Sequence, residues 1–279
     1  MKAAKSQTML PVAGTDMLLP VTELTGAKEG ETITLSAGVH SREYAGVQAL
    51  IELAQELDPR KVRGKIRLLH CCNYTGFLRR SADVVPQDGK NLNREFPGDP
   101  GGTPTQRLAA FLEQEFIERT DYLVDLHSGG FCESLTPHLY FHGTAAPEVR
   151  AVSRQMAELT TVPYLVESSA ENGFYSWAGQ RGVPAILLER GGCGLVEPAA
   201  IEGHKGTPCD CSGAWVSWRT VNRCPRRPTK SSPPPFMRTP RSPAAGTPQK
   251  RLGISSGRVR YWGRSGIYLA GCCAGSLPR

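Results

Sequence analysis

The sequence predicts an α/β fold in which a mixed central sheet is flanked by helices. Apolar runs rich in β-branched residues alternate with segments of helical period from about residue 31 to about residue 203. His40, His127 and Glu189 all fall at or just past the carboxyl end of such runs, the edge where open α/β sheets collect ligands. A chain of 279 residues buries a large core unaided. Its nine cysteines, odd in number and irregular in spacing, suit reduced thiols better than a disulfide framework.

The elements follow in order. ETITLSAGV (31–39) reads as a strand and passes through GVHSREYAG into a helix over 43–57. GKIRLLHCC (64–72) is the next strand. A helix over 104–119 opens with Thr103 as N-cap and Pro104 in the first turn. DYLVDLHS (121–128) and HLYFHG (138–143) are strands, 146–160 has helical period, VPAILLER (183–190) is a buried strand, and a helix starts at Glu197. Such alternation calls for a parallel or mixed sheet covered on both faces.

Residues 205–279 break the pattern. They hold 14 of the 33 Lys and Arg but one of the 26 Asp and Glu, with 10 of the 22 prolines and five of the nine cysteines. The formal net charge of +7 is therefore a property of the tail, and the front of the chain is net acidic. That composition does not readily bury a core. The expected organisation is an α/β domain over 1–204 and a basic, low-order tail over 205–279. The tail has two readings, a genuine basic extension or a frame-shifted translation. No nucleic-acid motif accompanies the charge, which argues against nucleic acid as a partner. The apolar stretch MLPVAGTDMLLPV is broken by Thr15, Asp16 and two prolines, so it fails as a signal-peptide core or a membrane span. The expectation is a soluble, cytoplasmic protein without a membrane partner.

Several residues have the chemistry of a site. His40 and Glu43, three apart in a strand-to-helix turn, offer an imidazole and a carboxylate to one point; the alternative is an ordinary turn that contains a histidine. Zinc takes three or four such donors, and His127, followed by Gly129 and Gly130, is the natural third, with Asp125 placed to orient its ring. Arg94 in the polar segment DGKNLNREFPG (88–98) suits bidentate capture of a carboxylate, with Asn93 as a further donor; a solvated turn is the alternative. Glu189 ends a buried run, where desolvation raises a carboxyl pKa toward that of a general base. Its alternative is a structural pair with an arginine such as Arg190.

Taken in order, GVHSREYAG, DGKNLNREFPG, VDLHSGG and LLERGG resemble the succinylglutamate desuccinylase and aspartoacylase family of the zinc carboxypeptidase superfamily. The resemblance covers about residues 12–204, with GTDMLLPV similar to the family's opening strand. It implies one zinc ion per chain on His40, Glu43 and His127, Glu189 as the catalytic glutamate, and Arg94 with Asn93 on a substrate carboxylate. Arg80 matches the arginine that polarises the scissile carbonyl, adjacent Arg79 being the other choice. Arg42 and Tyr44 flank the first motif. His138 and His142 read as wall or core residues, and His70 as structural.

The implied activity is hydrolysis of the amide of an N-acyl amino acid by water that zinc and a glutamate activate. The HSRE wording is also similar to the digestive metallocarboxypeptidases, so a peptidase acting on short peptides with a free carboxylate is the alternative. An inactive protein with a polyanion-binding tail is the alternative from another class. The family's C-terminal β-rich portion, which helps enclose substrate, has no recognisable counterpart after residue 204. The expectation is therefore a complete set of chemical residues with incomplete support.

Overall fold

The structure, a computed structural model, describes residues 2–206, 260–263 and 266–268. One twisted sheet organises it. Its strands are β1 (Ala4–Pro11), β2 (Leu18–Thr25), β3 (Lys28–Ala37), β4 (Arg63–Leu69), β5 (Tyr122–His127), β6 (His138–His142), β7 (Tyr164–Ser168), β8 (Ala185–Glu189), β9 (Arg260–Gly263) and β10 (Gly266–Tyr268). They lie in the order β1-β2-β4-β3-β5-β8-β6-β7-β9-β10. The central β4-β3-β5-β8 set is parallel, whereas β2 joins β4 and β6 joins β8 antiparallel, which makes the sheet mixed.

Strand periodicity sorts the side chains into two cores. Leu35, Val124, Leu126, Ile186 and Leu188 pack with helix α1 (Tyr44–Glu56) and helix α4 (Pro147–Glu158). Leu123, Ala185 and Leu187 face the opposite way, toward helix α3 (Pro104–Leu112) and helix α5 (Phe174–Gln180). A buried parallel strand needs apolar residues on both faces, and β5 is buried along its whole length. Asp125 and His127 are thus polar exceptions in an apolar strand.

The connections create the crevice. β3 leads through α1 to β4 on one side, while β5 lies on its other side. That reversal leaves a gap at the carboxyl ends of β3 and β5, the switch point at which such sheets bind ligands. Gly46 sets how closely α1 approaches, since a Cβ there would stand 2.8 Å from Leu126 Cβ and 3.0 Å from its carbonyl oxygen.

The structure extends or changes the sequence expectations in several places. The helix expected over 104–119 is α-helical to Leu112 and then widens into a π turn at Glu113–Ile117. There Glu118 N reaches back to the Glu113 carbonyl at 2.9 Å, and the guanidinium of buried Arg67 donates to the Glu115 carbonyl and lies 4.4 Å over the Phe116 ring. Four short elements carry no clear period: β1, which is exposed almost throughout, β7, α5 and helix α2 (Tyr74–Arg79). Helix α6 (Pro198–Lys205) runs one residue past the expected boundary at 204. Lys205 Nζ lies 3.0 Å from Glu52 and 2.5 Å from Glu56, tying α6 to α1. Of the tail, β9 pairs antiparallel with β7. Expectations for residues 207–259, 264–265 and 269–279 lie outside the described residues. Among the described residues no helix is long and apolar enough to cross a membrane.

Gly46→Ala should destabilise the domain by about 1–3 kcal/mol, the usual cost of forcing a methyl group into a filled core. Chemical denaturation measures it, and an unchanged midpoint would mean that α1 shifts freely on the sheet.

Candidate active site

The turn after β3 is built to present His40 and Glu43. Gly38 takes a positive φ of 64°, and a Cβ there would stand 2.6 Å from Cys71 Sγ. Cys72 N and Asn73 N donate to the Ala37 and Gly38 carbonyls at 2.8 and 2.9 Å, which ties the turn to the end of β4. Glu43 N then donates to the His40 carbonyl at 3.2 Å and starts α1.

This folding aims three donors at one point. Glu43 Oε1 lies 2.7 Å from His40 Nδ1, and Glu43 Oε2 lies 2.8 Å from His127 Nδ1. Ser128 N also donates to Oε2, at 3.3 Å. The other nitrogen of His127, Nε2, donates to Asp125 Oδ2 at 3.0 Å, and Ser36 Oγ donates to Asp125 Oδ1 at 2.7 Å. One chain of contacts therefore runs from β3 through β5 to the turn. One ligand atom from each of His40, Glu43 and His127 falls within a 4.8 Å cluster. The donor set suits a divalent ion: two imidazoles and a carboxylate, with one imidazole oriented by a buried carboxylate behind it.

Electrostatics separates two glutamates in one crevice. Burial opposes ionisation of Glu43, but the charges and hydrogen bonds of His127 and His40 outweigh it and hold the carboxyl down at about 2. Burial likewise opposes a charge on His127, yet Asp125 and Glu43 raise its pKa well above the ordinary value. Glu189 has no such donors. It pairs in register with His127 on one side and His138 on the other, so the three share a sheet face. Burial pushes its carboxyl up to about 7; the nearby His127 charge pulls down, and Glu43, Asp125 and Glu133 add to the rise. Its Oε2 is buried without a hydrogen-bond partner.

The remaining residues stand on flanking loops. Arg79 and Arg80 are exposed at the end of α2, with Arg80 in a left-handed conformation at φ 55°. Their loop is fastened to the ligand turn, because Ser41 Oγ donates to the Ala82 carbonyl at 2.6 Å and Arg42 Nη2 to Asp83 Oδ2 at 2.6 Å. Arg94 is exposed and donates from Nη1 to the Asn93 carbonyl at 2.8 Å. Asn93 is buried, and its Oδ1 accepts from Phe174 N at 3.0 Å, so it also caps α5. Tyr44 packs edge-on against Phe77 at 5.7 Å. His142 is core, 2.7 Å from the Ala170 carbonyl, and His70 lies 2.8 Å from Thr22 Oγ1. Sequence reasoning missed Ser36 and the Asn93 cap. It also missed Asp88, whose carboxylate accepts from Thr105 N at 2.9 Å and holds the 88–98 loop to the start of α3; its only sequence sign is an Asp-Gly pair.

Comparison with known proteins places this geometry. Residues 29–207 match the family model described as succinylglutamate desuccinylase/aspartoacylase catalytic domain. An N-alpha-acetyl-L-2,4-diaminobutyric acid deacetylase of Halomonas elongata is 31% identical over 188 residues, 66% of this chain and 54% of that protein. A succinylglutamate desuccinylase/aspartoacylase structure from Rhodobacter sphaeroides is 32% identical with a TM-score of 0.62, covering 73% of this chain and 62% of that one. The product-bound ectoine utilization protein EutE (DoeB) of Ruegeria pomeroyi is 28% identical with a TM-score of 0.66, covering 74% and 64%. The chain thus spans about half the length of the curated relative and under two thirds of these two structures.

The raised pKa of Glu189 has a stability consequence. A carboxyl whose folded pKa lies above its ordinary 4.5 contributes stability below that value and loses it as pH rises through about 7. In chelator-treated protein, Glu189→Gln should therefore gain on wild type between pH 5 and pH 8 by on the order of 1–3 kcal/mol. Urea unfolding at the two pH values measures the gain, and a pH-independent difference would give Glu189 an ordinary carboxyl.

Proposed function

Because the chain belongs to the succinylglutamate desuccinylase/aspartoacylase family, we propose that it hydrolyses the amide bond of a small N-acyl amino acid, with zinc held by His40, Glu43 and His127. The reading is carried by one observation: the Glu43 carboxylate stands between two imidazole Nδ1 atoms, and one of those imidazoles, His127, pairs in register with a second carboxyl, Glu189, that burial pushes up to about 7. When bound, zinc supplies Lewis acidity that polarises a carbonyl and makes water a stronger acid.

The protein's own groups divide the remaining work. Glu189 exchanges a proton readily near neutrality, so its unpartnered Oε2 is suited to take a proton from the attacking water and return it to the leaving amine. Asp125, fixed by Ser36, holds the His127 ring with Nδ1 turned toward Glu43. Arg94 has no acidic partner among the described residues and is suited to the substrate carboxylate. Arg80, on the strained loop fastened to the ligand turn, is suited to the developing oxyanion, a contribution of about 3 kcal/mol for a typical donor.

The Halomonas relative acts on N-alpha-acetyl-L-2,4-diaminobutyric acid, so N-acetylated amino acids with short side chains are the first substrates to assay. Zinc analysis should find about one ion per chain, lost in His127→Ala. Glu189→Gln should keep the ion and lower kcat by about 10²–10⁴-fold; full activity in that variant would remove Glu189 from the mechanism.

Arg94→Ala should raise KM for N-acetyl amino acids by about tenfold or more while kcat changes less, as expected for a group that grips the ground state and the transition state alike. Parallel assays on short peptides separate deacylase from carboxypeptidase action, since a peptidase would prefer the peptides.

A further inference from the structure

Helix α6 carries a histidine that reaches the strand end behind Glu189. His204 is fully buried, and its Nε2 lies 3.3 Å from the Arg190 carbonyl oxygen. Burial, with the Arg190 charge beside it, pushes its pKa down to about 3, so the ring is neutral and carries one N–H. A carbonyl oxygen accepts, which places that proton on Nε2. Nδ1 is then an acceptor, and it is buried without a partner. A buried polar atom left unmatched is costly, and an apolar side chain at this position would avoid that cost.

The carbonyl that His204 holds belongs to the residue after Glu189. Arg190 N donates to the His127 carbonyl at 3.1 Å and Gly129 N to the Gly191 carbonyl at 3.2 Å, so the pairing of β5 with β8 continues past both strand ends. Helix α6 packs directly on this extension, since Gly191 has a positive φ of 85° and a Cβ there would stand 3.0 Å from Ala200 Cβ. The Arg190 backbone is thus gripped from β5 at its amide and from α6 at its carbonyl. Through Lys205 on Glu52 and Glu56, α6 is itself anchored to α1, whose N-cap is Glu43. We infer that His204 is a positioning residue, which keeps Glu189 in register with His127 by fixing the Arg190 carbonyl. The inference rests on the reading of Glu189 as the group that carries the proton.

Steady-state kinetics and amide hydrogen exchange of the zinc-loaded full chain test the assignment. His204→Leu should lower kcat for an N-acetyl amino acid by about 10–100-fold, the loss expected when a distant change misplaces a reacting group. KM and zinc content should stay within about twofold of wild type, because neither the substrate anchor nor the ligands are touched. His204→Gln keeps an N–H donor near the place of Nε2 and should recover most of the lost kcat. With Glu189→Gln already in place, His204→Leu should cost little more, since both changes act on one group. Exchange at the Arg190 amide, read by NMR, should be about tenfold or more faster in His204→Leu and near wild type in His204→Gln. His204→Met carries the same tests if His204→Leu does not fold. Equal losses of kcat in the Leu and Gln variants, a loss confined to KM, a full further loss in the Glu189→Gln background, or unchanged Arg190 exchange would each overturn the inference. A chain without deacylase activity would overturn the proposed function alone, since the exchange difference still reads the hold of His204 on Arg190.

Discussion

One buried carboxylate sets the terms for the crevice. Glu43 is nearly enclosed, and an ion in that position is tolerated only when its oxygens are matched by donors. His40, His127 and the Ser128 amide supply them. His127 in turn needs Asp125, and Asp125 needs Ser36. The links are spread over three segments, so β3, β5 and the β3–α1 turn must hold one mutual register. Ser36 lies opposite Asp125 in the parallel pairing. A slip of one residue would turn the whole polar row into the opposite apolar core.

The same constraint explains why two glutamates in one crevice behave differently. Glu43 gains stability as an anion from the imidazoles, so its folded pKa falls to about 2. Glu189 is half-buried at the end of β8, its Oε2 is shielded from water without a donor, and burial pushes its carboxyl up to about 7. Environments that push two carboxyls apart distinguish a ligand from a proton carrier. The divergence begins in backbone placement: Glu43 opens a helix beside His127, whereas Glu189 ends a strand whose neighbours on that face are His127 and His138.

Around this rigid centre the loops are held by contacts distant in sequence. Ser41 and Arg42 fasten the loop after α2, where Arg80 and Ala82 both adopt positive φ. Conformations of that kind cost energy in residues with a Cβ and persist where surrounding contacts enforce them. The 88–98 loop is pinned at both ends, by Asp88 on α3 and by Phe96 stacked on Phe174 at 5.1 Å. Arg80 and Arg94 are exposed on these two loops.

The sequence by itself determined what is written locally. Strand and helix alternation, the polar interruptions at Asp125 and His127, the His40–Glu43 spacing and the buried end of β8 are all properties of short contiguous stretches, and they were legible without coordinates. Elements too short or too exposed to show a period, such as β1, β7, α2 and α5, were not. Tertiary structure alone decided the partnerships: Ser36 reaches Asp125 across 89 residues, Asn93 caps α5 across 81, and Lys205 binds Glu52 from 153 residues away. It also decided the electrostatics, because a carboxyl's pKa depends on the donors and water around it once folded. The residue types are local facts, while the distance between them and the solvent excluded from them exist only after the sheet has formed.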